Sequence, residues 1–536
     1  MSDDQAIQAS SPFAAVAGTT AGSAEVKPVL ISDAGREVGL PDDSRLDRWT
    51  EWCGERINPI LIKEARQALK SHHFITTFML LLIAAWGWSF LAILSGMPEI
   101  TTSGSGRNLL VGYIWVLIVP LMLIVPFSAF RSLASEREDG TFELMAITSL
   151  NARMIVTGKL ASAFLQILLY ASALAPGISF TYLLRGVDIT SITFVLFYSI
   201  ALSVLLSTAA LLVATLSRYR QWQVLMSIVL LAGLFLAVFF WGIFTSQLVY
   251  RPWFMASPSF EGQWAVHTAI VCGGLTFAVL MIQTAASRIT FASDNRSTRQ
   301  RVTIAIQFAM WVGWMGYGFW VTKDSDFLMA MQTLAGIYSV FVGGWLIGES
   351  PALSPRVRRE LPRSVFSRIL FTLFNPGSGT GFLYIVATFS AVTAMCVGLH
   401  LAGQTWGANG RQGLGTFALM VFAYVVGHLG AARFLWLLCR RRLRVPGELA
   451  ILLMIILGIL GIAFPLGVAT LAQGSIIEYS TLQASNWMWT LSRAEGRDLI
   501  GSDPDVVLIV VAAAAVVILI NMASATKEVA TVMDSD

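Results

Sequence analysis

An all-α polytopic membrane protein is the fold class this sequence predicts, with about twelve transmembrane helices in two six-helix halves and both termini cytosolic. Three observations predict it. Hydrophobic residues make up 56% of the 536 and charged residues 13%, against about 25% charged in a soluble domain, and mean hydropathy is +0.69. Apolar runs long enough to cross a bilayer, roughly 20 residues each, recur along the whole chain. Lys and Arg are divided very unequally between alternate loops.

Residues 1–56 read as a disordered cytosolic tail. Up to about Pro41 they are rich in Ala, Ser, Gly and Thr, with no apolar core behind a basic flank. That pattern is not a secretory signal, and it buries too little surface to offset its ordering entropy. Next comes an amphipathic helix. Asn58 is a good N-cap and Pro59 suits the first turn. Ile57, Ile60, Leu61, Ala65, Ala68 and Leu69 form an apolar stripe opposite Lys63, Arg66, Gln67 and Lys70. Such a helix lies in the membrane interface with its cations toward headgroups.

Six spans follow at Phe74–Leu94, Leu109–Phe130, Leu160–Leu184, Ile192–Leu216, Val224–Val249 and Ala265–Ala286. With the interface helix they define a unit over 57–286. A polar basic linker, 287–303, carries Arg288, Arg296, Arg299 and Arg301. A second six-span bundle, 304–524, contains Ile304–Val321, Leu328–Ile347, Phe382–Leu401, Leu414–Leu438, Leu449–Leu471 and Val506–Met522, and a cytosolic tail covers 525–536. With the N-terminus inside, the outer loops hold only Arg107, Arg185, Arg251, Lys323, Arg411, Arg493 and Arg497 of the 36 Lys and Arg. Positive residues stay on the cytosolic side, so this orientation is selected over its inverse. The one dipeptide echo between the halves, Asn58-Pro59 and Asn375-Pro376, is too common to establish a repeat.

Several function classes are disfavoured. No Asp or Glu falls inside any predicted span, whereas ion-coupled carriers bind their driving ion at intramembrane ionisable groups. Arg433 sits near an inner end, where it can snorkel. His428 remains as an intramembrane polar group, with a packing role as its plainer reading. There is no HExxH pair and no GxSxG elbow. The segment Thr157-Gly158-Lys159 is not a phosphate loop, because Arg153 stands where the first glycine belongs. Cys53, Cys272, Cys396 and Cys439 are scattered without disulfide or zinc spacing. A net charge of +4, thinly spread, gives no basis for nucleic-acid binding.

The loop after the second span carries the most information. Glu136, Glu138 and Asp139 leave the membrane together, Gly140 permits a sharp turn, and Thr141 can cap a short helix Phe142–Ile147 with Glu143 in its first turn. Ser149 opens the next helix, which takes Arg153 and Lys159 into the membrane. A short rigid helix between two spans converts a push on its tip into tilt of both. A flexible loop would absorb it.

Ser135-Glu-Arg-Glu-Asp-Gly-Thr-Phe-Glu-Leu144, with Gly158-Lys159-Leu160 downstream, resembles the permease subunit of type-2 ABC exporters, in which an E-x-E-x-G-T-x-E-L box leads into a coupling helix and G-K-L opens the third span. Asn58-Pro59 followed by Lys63-Glu64 resembles that family's interface helix. The resemblance covers roughly Ile57 to Arg301. It implies that Glu136, Glu138, Asp139, Gly140, Thr141, Phe142, Glu143 and Leu144 dock in a cleft of a separate ABC ATPase. Asn58, Pro59, Lys63, Glu64, Arg66 and Lys70 would flank that dock, and Gly158 and Lys159 would mark the third-span start. It further implies an exporter in the cytoplasmic (inner) membrane, in contact with lipid. This chain would hold no cofactor of its own, with ATP and magnesium on the partner, and would face a second permease copy or its own second half. The second half departs from the pattern, because its equivalent loop, Glu349–Thr380, lacks the acidic box and carries a Pro- and Arg-rich run. A membrane scaffold that recruits a cytosolic partner through the same loop is the alternative from another class, and a secondary carrier ranks below it. The transported substrate is not legible.

Overall fold

The computed structural model describes residues 58–96, 106–138, 151–184, 186–216, 220–250, 260–290, 294–350, 372–405, 413–443, 447–474, 479–496 and 499–533. Among them every regular element is a helix. In hydrocarbon each backbone N–H and C=O needs an internal partner, which a helix supplies within one segment. The short amphipathic helix α1 (Pro59–Lys70) leads into α2 (His72–Gly96). The second span is built from α3 (Gly106–Val119), a π-helical turn (Pro120–Ile124) and α4 (Val125–Glu138). Then come α5 (Ala152–Leu183), α6 (Ile189–Leu216), α7 (Arg220–Tyr250) and α8 (Phe260–Ile289). After these come α9 (Thr298–Thr322), α10 (Asp326–Ile347), α11 (Ser378–Thr405), α12 (Leu414–Arg442) and α13 (Leu449–Gln473). The chain closes with a 3₁₀ turn (Thr481–Ser485), α14 (Trp487–Gly496), α15 (Leu499–Ser502) and α16 (Pro504–Met533). Twelve spans are long and apolar enough to cross a bilayer among the described residues, as the sequence predicts.

The π turn has an identifiable cause. The N–H of Val125 bonds the Pro120 carbonyl five residues back. In that register Leu121 would next receive the N–H of residue 126, which is a proline and has none. Ser203 of α6 fills the vacancy, its Oγ donating to the Leu121 carbonyl at 2.5 Å. A helix defect is thereby converted into a tie between two spans.

Buried apolar residues gather in two clusters, one running from Ile60 to Ala286 and the other from Ile304 to Ala514. Around the first, α2 packs on α3 and α5, the second span on α5, α6 and α7, α5 on α6 and α8, and α6 on α7 and α8. Around the second, α9 packs on α10 and α11, α10 on α11, α12 and α13, α11 on α12 and α16, and α12 on α13 and α16. Helices α8 and α9 also pack on one another, tied by hydrogen bonds from Thr303 Oγ1 to Gln283 Oε1 (3.0 Å) and from Gln300 Nε2 to Ser287 Oγ (2.8 Å).

Two boundaries and one side-chain placement differ from the sequence reading. The linker expected over 287–303 is mostly helix, because α8 runs to Ile289 and α9 starts at Thr298; Asn295 Oδ1 accepts from the Thr298 N–H and stabilises that early start. The tail expected from 525 continues α16 as far as Met533, with Glu528 tied back to the bundle. Arg433 does not snorkel. It is fully buried, where Nη1 donates to Asn521 Oδ1 (2.8 Å) and Nη2 to Glu528 Oε1 (2.5 Å). The partner was hidden because Glu528 lies beyond the apolar run that marked the span.

Candidate functional site: a charged junction between the first helix and the second and third spans

Gly158 and Lys159 sit in the second turn of α5, and α1 lies across them. Asn58 fixes the crossing with both ends of its amide. Oδ1 accepts from the Ile60 N–H at 3.1 Å, capping α1, while Nδ2 donates to the Met154 carbonyl of α5 at 2.6 Å. Gly158 makes the approach feasible. A Cβ added there would stand 2.9 Å from both Asn58 Nδ2 and Ile60 Cβ, closer than such atoms normally come. The glycine is therefore demanded by helix-to-helix contact.

Lys159 points from this crossing into the gap between α1 and α4. Its side chain is 1% exposed, and Nζ lies 2.9 Å from Glu64 Oε1 and 3.0 Å from Glu136 Oε2. It also donates to Ser132 Oγ (2.7 Å) and the Ser132 carbonyl (3.3 Å). The Glu136 approach is off the hydrogen-bond line, so that contact is coulombic. Ser132 Oγ in turn donates to Glu64 Oε2 at 2.9 Å. One cation thus gathers a carboxylate from α1, a carboxylate and a hydroxyl from the end of the second span, and its own helix. A buried ammonium would be costly alone; here its donors all have acceptors.

The expected site residues separate into four groups. Asn58, Glu64, Glu136, Gly158 and Lys159 are brought together, while Pro59 opens α1 as an exposed first-turn residue. Lys63 stands at the rim, 62% exposed and 3.6 Å from Glu136 Oε1. Arg66, Lys70 and Glu138 are exposed and outside the junction. Asp139, Gly140, Thr141, Phe142, Glu143 and Leu144, with the expected coupling helix Phe142–Ile147, lie outside the described residues. Glu136, the last junction residue on the second span, stands three residues before that segment begins.

The amphipathic reading of α1 placed its polar face outward, and Glu64 breaks that rule. It is half-buried beside Ile60, Leu61, Ala65 and Ala68. The legible signal was spacing: Ile60, Glu64 and Ala68 fall four apart on one helical face. Ser132 had no signal before the geometry was known.

A comparable cluster, missed from sequence, joins α9, α10 and α11. Arg301 is fully buried, with Nη2 2.7 Å from Glu349 Oε2. Nη1 donates to the Leu373 carbonyl (2.7 Å) and to Thr380 Oγ1 (3.1 Å), and Nη2 reaches the Gly377 carbonyl (3.1 Å). Glu349 Oε2 also accepts the Gly377 N–H at 3.0 Å. At Gly377, φ is +145°, a conformation glycine adopts without strain. Asn375-Pro376 therefore belongs to a turn that wraps an arginine, unlike Asn58-Pro59, which opens a helix.

Elsewhere the polar groups pack. His428 donates from Nδ1 to the Tyr424 carbonyl at 2.7 Å. Trp487 donates from Nε1 to the Gly458 carbonyl of α13 at 3.0 Å. No group of His, Cys, Asp and Glu able to hold a metal exists among the described residues. Compared with known protein families, with curated proteins and with solved structures, the chain matches none.

Proposed function

We propose that this chain is the membrane-spanning permease subunit of an ATP-driven exporter of the type-2 ABC class. Its energy comes from a separate ATPase that holds the ATP and magnesium and docks on the loop between the second and third spans, within 131–159. The observation that carries this reading is the Lys159 junction. A loop pushed at its tip moves spans only if its two roots are rigidly held. Glu136 at one root, Lys159 just past the other and Glu64 of α1 form one buried charge cluster at that place. A scaffold that merely displays a loop has no need to lock its two ends and an interface helix together.

In this reading the junction end of the bundle is cytosolic, both termini lie on that side, and the membrane is the cytoplasmic (inner) one. The two buried clusters belong to two six-helix halves. What supports the division is that each packing pair around the first cluster has its counterpart six spans later. By the same correspondence Glu349, at the exit of the eighth span, stands where Glu136 stands at the exit of the second. The cation has changed helix, from Lys159 on the third span to Arg301 on the seventh. The second half would then face the first as the second permease module within one chain.

The test is co-reconstitution. Glu138→Lys with Glu143→Lys should abolish ATPase association and nucleotide-dependent export in correctly inserted protein, and Glu138 lies outside the ion pairs of the junction, so its reversal leaves that junction intact. Normal association and export in that variant would refute the coupling role. Association without any nucleotide-dependent transport would favour the scaffold.

A further inference from the structure

A polar cavity of about 430 Å³ lies where α5 begins, α8 ends and α9 begins. Its walls include Asn151, Arg153 and Arg299, with Asp294, Arg296 and Gln300 around them. Arg296 donates to the Thr290 carbonyl, Gln300 to Ser287, and Asp294 has contacts of its own. Arg153 and Arg299 differ from these. Neither guanidinium has a hydrogen bond or ion pair among the described residues, and the two stand close enough to repel one another. Among the described residues the buried cations are paired: Lys159, Arg301 and Arg433 all have carboxylates. Asn151, the N-cap of α5, makes no side-chain cap bond, so the positive end of that helix adds to the same field.

We infer that Arg153 and Arg299 form a binding site for a phosphate group, held between the third span and the helix that follows the inter-cluster linker. Two arginines lining one polar cavity suit phosphate, which arginine binds with several N–H donors converging on anionic oxygens. A bound dianion or phosphodiester would turn their repulsion into two attractions. The cavity sits at helix ends, the depth of lipid headgroups, so an anionic phospholipid is one source of the phosphate and a soluble phosphate compound the other. Bound there, the group would tie the start of α5, which carries the junction lysine, to α9 of the neighbouring cluster. This inference does not rest on the exporter reading and would hold for a scaffold or a carrier.

The experiment uses the full chain in nanodiscs and reads both the thermal unfolding midpoint and lipid retention by native mass spectrometry. One arm compares phosphatidylglycerol with phosphatidylcholine. The other adds inorganic pyrophosphate to phosphatidylcholine discs. Wild type should be stabilised in at least one arm. Arg153→Gln and Arg299→Gln should each weaken the titrated affinity about tenfold or more, the loss of a charge-assisted contact, and Arg299→Lys should retain part of it. In phosphatidylcholine at low salt without anion, Arg299→Gln should melt no lower than wild type, since it removes a repulsion and breaks no bond. A response to phosphatidylglycerol alone identifies a lipid headgroup; a response to pyrophosphate alone identifies a soluble ligand. Equal shifts in wild type and the Arg153→Gln/Arg299→Gln double variant, or no shift in either arm, would overturn the site.

Discussion

Replacing Lys159 with methionine is the perturbation that most directly challenges the junction. Methionine keeps the length and the packing on α5 and removes only the ammonium. Two carboxylates, Glu64 and Glu136, then face each other across the gap, with side chains only 12% and 15% exposed. Breaking a fully buried pair costs about 3–5 kcal/mol. Here the rim is partly wet, and Lys63 at 3.6 Å from Glu136 offsets some of the loss, which places the expected cost near the lower end, about 3 kcal/mol. On the docking equilibrium of α1 that is a factor on the order of 10². The assay is hydrogen exchange of the Pro59–Lys70 amides in nanodiscs, read beside the thermal midpoint of the whole protein. Exchange in α1 should accelerate by about that factor while α9–α16 are little changed. Adding Glu64→Gln and Glu136→Gln to Lys159→Met should restore most of the protection, because amides leave no uncompensated charge. If the single variant protects α1 like wild type, or the triple variant is no better than the single, the junction is not what holds α1.

Further predictions test other parts of the structure. Gly158→Leu should lift α1 off α5, since even a Cβ meets Asn58 and Ile60 at 2.9 Å. The overpacking cost is about 1–3 kcal/mol, read as loss of exchange protection over the same amides. Arg301→Met should lower the thermal midpoint more than Lys159→Met does, because it strands Glu349 and the Leu373 and Gly377 carbonyls together. Arg301→Met with Glu349→Gln should recover only part, as the carbonyls remain without donors. Asp188 gives a local pH dependence outside the spans. Burial raises its carboxyl, but hydrogen bonds from the Ser191 hydroxyl and N–H, with Arg107 nearby, hold it below the ordinary value. A lowered folded value stabilises above the unfolded value, about 3.9, and the contribution disappears as pH falls through the folded value. Asp188→Ala should thus cost about 1 kcal/mol, a typical cap loss, at neutral pH, and nothing in strong acid. A midpoint difference that persists at low pH would contradict that assignment.

The spans were legible because a bilayer imposes both a length and an apolar composition, and the twelve apolar runs lie within the twelve long helical spans, to within a residue at their ends. Their ends were less so. Thr298–Ile304 is polar, yet it is helical because Asn295 caps it and Arg301 is neutralised in place. Glu528 follows the apolar run and was read as tail, since nothing local reveals that Arg433 waits 95 residues away. The same limit applies at the junction. Gly158-Lys159 and Glu136 stood out as a pattern, but Ser132 and the inward turn of Glu64 depend on how α1 crosses α5, which sequence periodicity does not encode. The packing correspondence between the clusters was invisible for a similar reason, because helix adjacency can be kept while almost every residue changes.

The central claim is that the segment rooted at Glu136 and Lys159 is gripped by a nucleotide-driven partner. The most direct measurement replaces Glu143 with a genetically encoded photo-crosslinking residue in cells, then identifies the adduct and compares its yield in ATP and ADP. The account predicts an adduct with a protein that carries a Walker A phosphate loop, with a yield that changes between the two nucleotides. An adduct that contains no nucleotide-binding protein, or one whose yield ignores nucleotide, would contradict it.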